Sequence, residues 1–259
     1  MLFALVLAAL PATAFAQSAQ SPGPAPVVLE LFTSQGCAFC PPADALMGQM
    51  IQQQNIIGLS CHVDYFGVKE NSLGKSFCTR RQNDYGRKIG TGPRYTPQLI
   101  VNGHMDMIGY ETGRVSAAVM KARSEKIKNI VITPTSGGTY NFTLPKMSVG
   151  SDVRLLVAIY DAPKTMAMTE GSNFGKKVTY FNVVTKMDDI GLWNGAAGTQ
   201  VLNVDYTPSS AGVAVISGLA GAFIVLILTI YFTASTPSLK AAVYRLVPAS
   251  KRHRFVDLS

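Results

Sequence analysis

Leu29-Glu-Leu-Phe-Thr-Ser-Gln-Gly-Cys37-Ala-Phe-Cys40-Pro-Pro42 is the stretch around which the chain is organised. The apolar run Val27 to Phe32 predicts a buried strand, and Thr33-Ser-Gln-Gly36 a turn. Two cysteines bracket Ala38-Phe39, and Pro41-Pro42 open a predicted helix, where a missing N–H costs no intrahelical bond. Ala43, Leu46, Met47, Met50 and Ile51 follow at the spacing of one buried helical face. Cys37 therefore meets free N–H groups and the positive end of the helix dipole, which favour thiolate over thiol. A lone CxxC is a weak motif, but strand, turn, CxxC and helix within about thirty residues point to thiol chemistry. The competing readings are a structural disulfide or half of a zinc site. No second CxxC or CxxH pair completes four zinc ligands.

At 259 residues the chain has room for two modest domains. Residues 1–16 are apolar and end in Ala14-Phe-Ala16, the pattern of a signal peptide, although no Lys or Arg precedes the apolar core. Residues 17–26 read as a linker. Export would place Cys37, Cys40, Cys61 and Cys78 where disulfides persist. The net charge of +8 does not indicate nucleic acid, because half of it comes from Lys240, Arg245, Lys251, Arg252 and Arg254 set against Asp257.

A second buried strand is predicted over Asn55–Val63, and a polar, partly helical segment over Asp64–Lys88. Arg94–Gly103 reads as a strand entered through Thr96-Pro97, with Asn102-Gly103 as a hairpin turn and His104–Tyr110 as the return strand. Val115, Ala118, Val119 and Ala122 mark a closing helix. This β-α-β-α-β-β-α order is the thioredoxin order, so a thioredoxin-like domain is expected over residues 27–128. Short strand candidates follow at Ile130–Thr133, Gly138–Leu144, Val153–Tyr160, Thr165–Thr169, Val178–Val184 and Gln200–Val204. They predict a small antiparallel β-sandwich-like domain over residues 129–212.

Several patterns in this chain resemble a bacterial secreted thioredoxin-like family known only as domain of unknown function 1223. They are Val28–Asp44 with its CxxC, Cys61-His-Val-Asp-Tyr65, Cys78-Thr-Arg-Arg-Gln82, Tyr95-Thr-Pro-Gln98, and Gly171-Ser-Asn-Phe-Gly175 with Asn182-Val-Val184. The resemblance runs in order from about Val27 to Ile216 and implies a thioredoxin-like domain followed by a β-rich one. It implies no substrate. By the same resemblance Thr96-Pro97 would be the dipeptide that docks substrate beside the redox pair.

Cys37, first and nearest the turn, is the expected attacking thiolate, and Cys40 would resolve the mixed disulfide. Glu30 shares strand alternation with Val28 and Phe32. If it points inward its pKa should rise and it could shuttle a proton to Cys40. If it points outward it is a solvated strand residue. Cys61 and Cys78, seventeen residues apart, are expected to form a structural disulfide, with an electron-relaying second pair as the alternative.

No cofactor is expected. His62, His104, Met105, Met107, Met166 and Met168 raise a Cu(I) reading, but the period-two methionines fit packed strand faces, so any copper would fall to Cys37 and Cys40. The function expected is thiol–disulfide exchange on periplasmic proteins. The alternatives are a Cu(I) metallochaperone and a non-catalytic accessory subunit of a membrane complex.

After Ile216 the chain departs from the resembled family. Val213–Ala234 holds no charge and is long enough for a transmembrane helix, at roughly 33 Å. The basic residues 235–259 would then lie in the cytoplasm, with the catalytic part on the periplasmic face of the inner membrane. The competing placement gives Gly212–Ile216 to a last β strand and leaves a marginal span.

Overall fold

A computed structural model describes residues 25–69, 71–134, 139–149, 153–203, 210–218 and 227–231. The expected signal peptide, most of the linker and the basic tail lie outside the described residues. Strand β1 (Val27–Thr33) is buried at all seven positions, as its apolar run predicts. It pairs in parallel with β2 (Ile56–His62) and antiparallel with β3 (Gln98–Val101). β3 continues into β4 (Met105–Ile108), giving the sheet order β2-β1-β3-β4.

Both faces of this sheet are covered, which is why β1 lacks a polar, solvated side. On one face Leu29, Leu31 and Leu99 pack against α1 (Cys40–Met50) and α3 (Thr112–Arg123) through Ala43, Leu46, Met47, Val115 and Val119. On the other, Val28, Phe32, Leu59, Cys61 and Ile100 meet Cys78 and Tyr85 of α2 (Ser76–Ile89). That same cluster takes in Ala158, Tyr160 and Val184 from the second half of the chain.

The second half is antiparallel. β5 (Val131–Pro134), β6 (Thr139–Leu144) and β11 (Gly198–Asn203) form one sheet in the order β11-β6-β5. β7 (Val153–Asp161), β10 (Val184–Trp193), β12 (Ser210–Gly218) and β13 (Ile227–Tyr231) form another in the order β10-β7-β12-β13. Ile132, Phe142 and Leu144 of the first sheet share a core with Val153, Leu155, Val157 and Trp193 of the second. A hairpin of β8 (Lys164–Ala167) and β9 (Lys177–Tyr180) reaches back to α1.

The expected fold class is therefore corrected. The described residues form a mostly-sheet protein with three α-helices, not a self-contained thioredoxin-like domain followed by a small sandwich and a membrane helix. The α2-facing side of the first sheet is closed by Ala158, Tyr160 and Val184. Ser60 bridges Val183, and Asn182 Nδ2 donates to Gly58 O at 2.9 Å, so the two halves also share hydrogen bonds.

The transmembrane helix is corrected by the backbone. Gly212–Ile216 pairs with β7 on one side and with β13 on the other. Val and Ile are as much strand residues as membrane residues, so an apolar run alone does not select a helix. Among the described residues no helix is long and apolar enough to cross a membrane. The placement at the inner membrane, which rested on that helix, is corrected with it.

Candidate functional site

The turn after β1 is held from several directions. Gly36 N–H donates to Ser34 Oγ at 3.2 Å, and Cys37 N–H to Ser34 O at 3.2 Å. Gln35 Oε1 accepts from Leu73 N–H at 2.7 Å. Asn173, buried in the short 3-10 turn Gly171–Asn173, donates through Nδ2 to Gln35 O at 2.9 Å and to Cys37 O at 2.8 Å. The second half of the chain thus fixes the backbone of the first cysteine. Sequence reasoning did not single out Asn173 as a site residue, although the Gly-x-Asn-x-Gly pattern was its signal.

Cys40 is the first residue of α1, with Pro41 and Pro42 in its opening turn. Phe39 at the cap makes no side-chain hydrogen bond, and no acidic residue occupies the first turn. The helix N-terminus therefore keeps its partial positive charge for the cysteines. Cys37 and Cys40 are joined as a disulfide, with Cα atoms 5.4 Å apart. Cys37 is 3 % exposed and Cys40 fully covered, while Phe39 between them stands 69 % exposed. Both cysteines are buried, and the exposed Phe39 lies on the loop that joins them.

Cys61 and Cys78 form a second disulfide, from β2 to α2, with Cα atoms 5.3 Å apart. Both lie in the hydrophobic cluster on the α2 side of the sheet. This bond packs the core and faces no opening.

Thr96-Pro97 enters β3 through a cis peptide bond. Pro97 O accepts from Gly109 N–H at 2.9 Å. A Cβ built on Gly109 would meet Leu31, Ala43 and Pro97 within 3.5 Å, so Gly109 lies beside both Pro97 and Ala43 of α1.

Glu30 points inward but away from the cysteines. Arg81 grips its carboxylate with two N–H donors, Nη2 to Oε1 at 2.8 Å and Nε to Oε2, and Tyr85 Oη donates to Oε1. These partners belong to α2, across the sheet from α1. Burial holds the Tyr85 phenol well above its ordinary pKa. The structure does not bring Glu30 together with Cys40.

The acid on the cysteine side is Asp44. It is 2 % exposed, and burial pushes its carboxyl up to about 8. Thr33 beside it opposes that rise. His62 is also buried, its ring edge-on to Tyr180 at 4.8 Å between centroids, and burial lowers its pKa to about 3. Among the described residues, no group of three or more His, Cys, Asp or Glu is gathered as a metal site.

A family model described as a protein of unknown function, DUF1223, matches residues 28–217. The chain belongs to the DUF1223 family. The match spans the strand, the CxxC, the Asn173 turn and β7, so the features that build the site lie within the family region. A crystal structure of an Agrobacterium tumefaciens protein is similar at 26 % identity and a TM-score of 0.68, covering 83 % of this chain and 98 % of that one. HBP35 of Porphyromonas gingivalis is similar in fold at 14 % identity and a TM-score of 0.59, covering 83 % of this chain and 77 % of that one. No curated protein matches the chain. None of these comparisons supplies an activity, and the thioredoxin-like part of the resemblance is not confirmed by them.

Proposed function

We propose that this protein exchanges thiols and disulfides with other proteins through Cys37–Cys40. The observation that carries the reading is the contrast between its two disulfides. Cys61–Cys78 is sealed in a core cluster. Cys37–Cys40 sits at an uncapped helix N-terminus beneath the exposed Phe39, outside that cluster. A thiolate generated at Cys37 is stabilised by the free N–H groups of α1, which makes Cys37 a good leaving group and a ready nucleophile. Cys40, one turn inward, is placed to close the intramolecular bond and release a bound partner. Thr96-Pro97, beside Gly109, is the proposed docking backbone for an extended segment of the partner.

The partners of this reaction are protein thiols and disulfides, and the electrons pass through the protein's own disulfide. Equilibration with reduced and oxidised glutathione, followed by acid quench and mass analysis, tests the reading. The Cys37–Cys40 bond is expected to open and reclose with the glutathione ratio, and Cys37→Ser to abolish the exchange. A bond that stays closed across the whole ratio would overturn it.

A further inference from the structure

The far end of α2 and the loop that leads into β3 enclose a polar cleft that the exchange reading leaves unused. It measures about 290 Å³ and is lined by residues that include Gln82, Gly86, Arg87, Thr91, Arg94 and Gln98. Gly90 ends α2 in the left-handed region, at φ 66°, and Gly92 turns the chain again at φ 77°. Gly86 has no side chain to fill the gap beneath this loop. A Cβ there would meet Gly92 O at 3.7 Å and Thr91 Oγ1 at 3.8 Å, which is ordinary contact. Gln82 and Gln98 are both buried. Gln82 Nε2 donates to Gln98 Oε1 at 2.9 Å and to Tyr95 O at 2.8 Å, and Gln98 Nε2 donates to Asp106 Oδ1 at 2.7 Å. Buried amides satisfied in this way fix the shape of the cleft.

What the cleft offers a ligand is cationic. Arg87 and Lys88 lie in the last turn of α2, where they also offset the helix dipole, but Arg94 lies beyond the helix and has no such task. Its guanidinium sits over the Tyr65 ring, 4.8 Å from the centroid. Tyr65 is fixed in turn, since its Oη donates to Gln82 Oε1 at 3.1 Å. An arginine seated over an aromatic ring loses no hydrogen-bond donor to it and is held ready for an oxyanion. The same pairing occurs within α2, where Arg81 lies over Tyr85 at 5.1 Å. There the guanidinium grips the Glu30 carboxylate with two N–H donors. Among the described residues Arg94 has no carboxylate partner, and Arg87 gives one nitrogen, Nη2, to Asp84. The surroundings are electropositive. Burial first holds the Lys88 ammonium below its ordinary pKa; Asp84 opposes this, and Arg81, Arg154 and Arg87 add to the fall.

We infer that this cleft binds a carboxylate, gripped by Arg94 with Arg87 as the second cation. Its volume is at the lower end for ligand pockets, which start at roughly 300 Å³, so it suits one acidic side chain or one small organic acid. Its position favours the side chain. Arg94 and Gln98 bracket Thr96-Pro97 in the sequence, the proposed docking backbone. Tyr65 stacks on Phe66 at 5.2 Å between centroids, and Phe66 Cβ stands 3.0 Å from a Cβ built on Gly36, the residue before Cys37. Two side chains thus connect the cleft to the CxxC turn. A partner whose extended backbone lies along Thr96-Pro97 would carry an Asp or Glu near its reacting cysteine. That assignment of the ligand's source rests on the exchange reading, whereas the carboxylate site does not.

Nitrogen-15 NMR of the full chain tests the site through the Arg87 and Arg94 side-chain N–H signals and the backbone amides of residues 90–94. The titrants are succinate, inorganic phosphate, and an end-blocked peptide with a single Glu, its Gln counterpart serving as control. Saturable shifts with succinate and the Glu peptide are expected, weakening as salt is added. Arg94→Gln should weaken binding about tenfold or more, and Arg94→Lys should not restore it, because lysine lacks the planar fork. Gly86→Leu keeps both guanidiniums but fills the cleft, and should also lose binding. Tighter binding of the Glu peptide than of succinate supports the site and assigns it to polypeptide partners. Succinate bound as tightly or more tightly supports the site and assigns it to a free acid. Equal binding of the Glu and Gln peptides, shifts with phosphate alone, or no saturable shift with any titrant would overturn the inference. None of these readings involves a cysteine, so the exchange reading is judged separately, by the glutathione equilibration.

Discussion

Glu30 and Asp44 are both buried carboxyls, yet their surroundings assign them different work. Glu30 is neutralised by a two-pronged Arg81 and by Tyr85, so it ties β1 to α2. Removing one partner of such a buried pair strands the other charge, and Arg81→Met should cost about 3–5 kcal/mol in chemical denaturation. Asp44 has no such partner, and its raised pKa makes a stability signature. A carboxyl whose folded pKa lies above its unfolded value favours folding at low pH, and that contribution is lost as pH rises from the unfolded value of 3.8 toward about 8. Asp44→Asn should therefore gain stability relative to wild type across that window, at up to about 1.4 kcal/mol per pH unit, and level off above it. His62 acts in the other direction. Its depressed pKa contributes stability present above 6.5 and lost as pH falls toward about 3. His62→Phe should flatten the acid limb of the denaturation midpoint against pH. Wild-type and variant limbs of equal slope would contradict this assignment. Asp44 escaped sequence reasoning because the helical stripe was drawn through Ala43, Leu46, Met47, Met50 and Ile51, and a carboxylate beside it reads as solvated. Glu30 was legible as a buried acid from its alternation with Val28 and Phe32, but alternation does not say which helix lies across the face.

At the scale of elements, α1 is clamped between the sheet and the β8–β9 hairpin. A Cβ on Gly48 would stand 2.4 Å from the Phe181 ring, so the helix can approach the hairpin only with glycine there. Gly48→Ala should destabilise the protein by about 1–3 kcal/mol in thermal or chemical unfolding, despite alanine's better helix propensity. A stabilised variant would show that the packing of α1 on Phe181 is wrong. The two disulfides should separate in the same way. Loss of Cys61–Cys78, closing a seventeen-residue separation inside the core, should cost about 2–4 kcal/mol. Loss of Cys37–Cys40, with a separation of three, should cost far less. Most strands of the second half were legible from short β-branched runs between turn residues. β10 was not, beyond its first residue. Its Lys186, Asp188, Asp189 and Gly191 interrupt the apolar pattern, and its pairing with β7 shifts register after Val184 and after Asp189. Bulged strands break the period of two on which strand reading depends.

Across the whole molecule, the halves are bound through one shared core, and neither half's pattern announces this. Ala158, Tyr160 and Val184 cover the sheet face that carries Val28, Phe32 and Ile100. Apolar periodicity shows that a face is buried but not what buries it. The same limit misled the reading of Val213–Ala234. Hydropathy registers an apolar run, whereas the pairing of Gly212–Ile216 with β7 is a long-range fact. The order of strands and helices around the CxxC was legible because it is set locally, by turns, prolines and helical spacing. The functional account rests on an inequality between two disulfides, and differential alkylation measures it. The protein is reduced mildly, labelled with one alkylating reagent, denatured, fully reduced and labelled with a second, and each cysteine is read by mass. The account predicts first-reagent label concentrated on Cys37, with Cys61 and Cys78 carrying only the second. First-reagent label on Cys61 and Cys78 ahead of Cys37, or none on any cysteine until the chain unfolds, would contradict it.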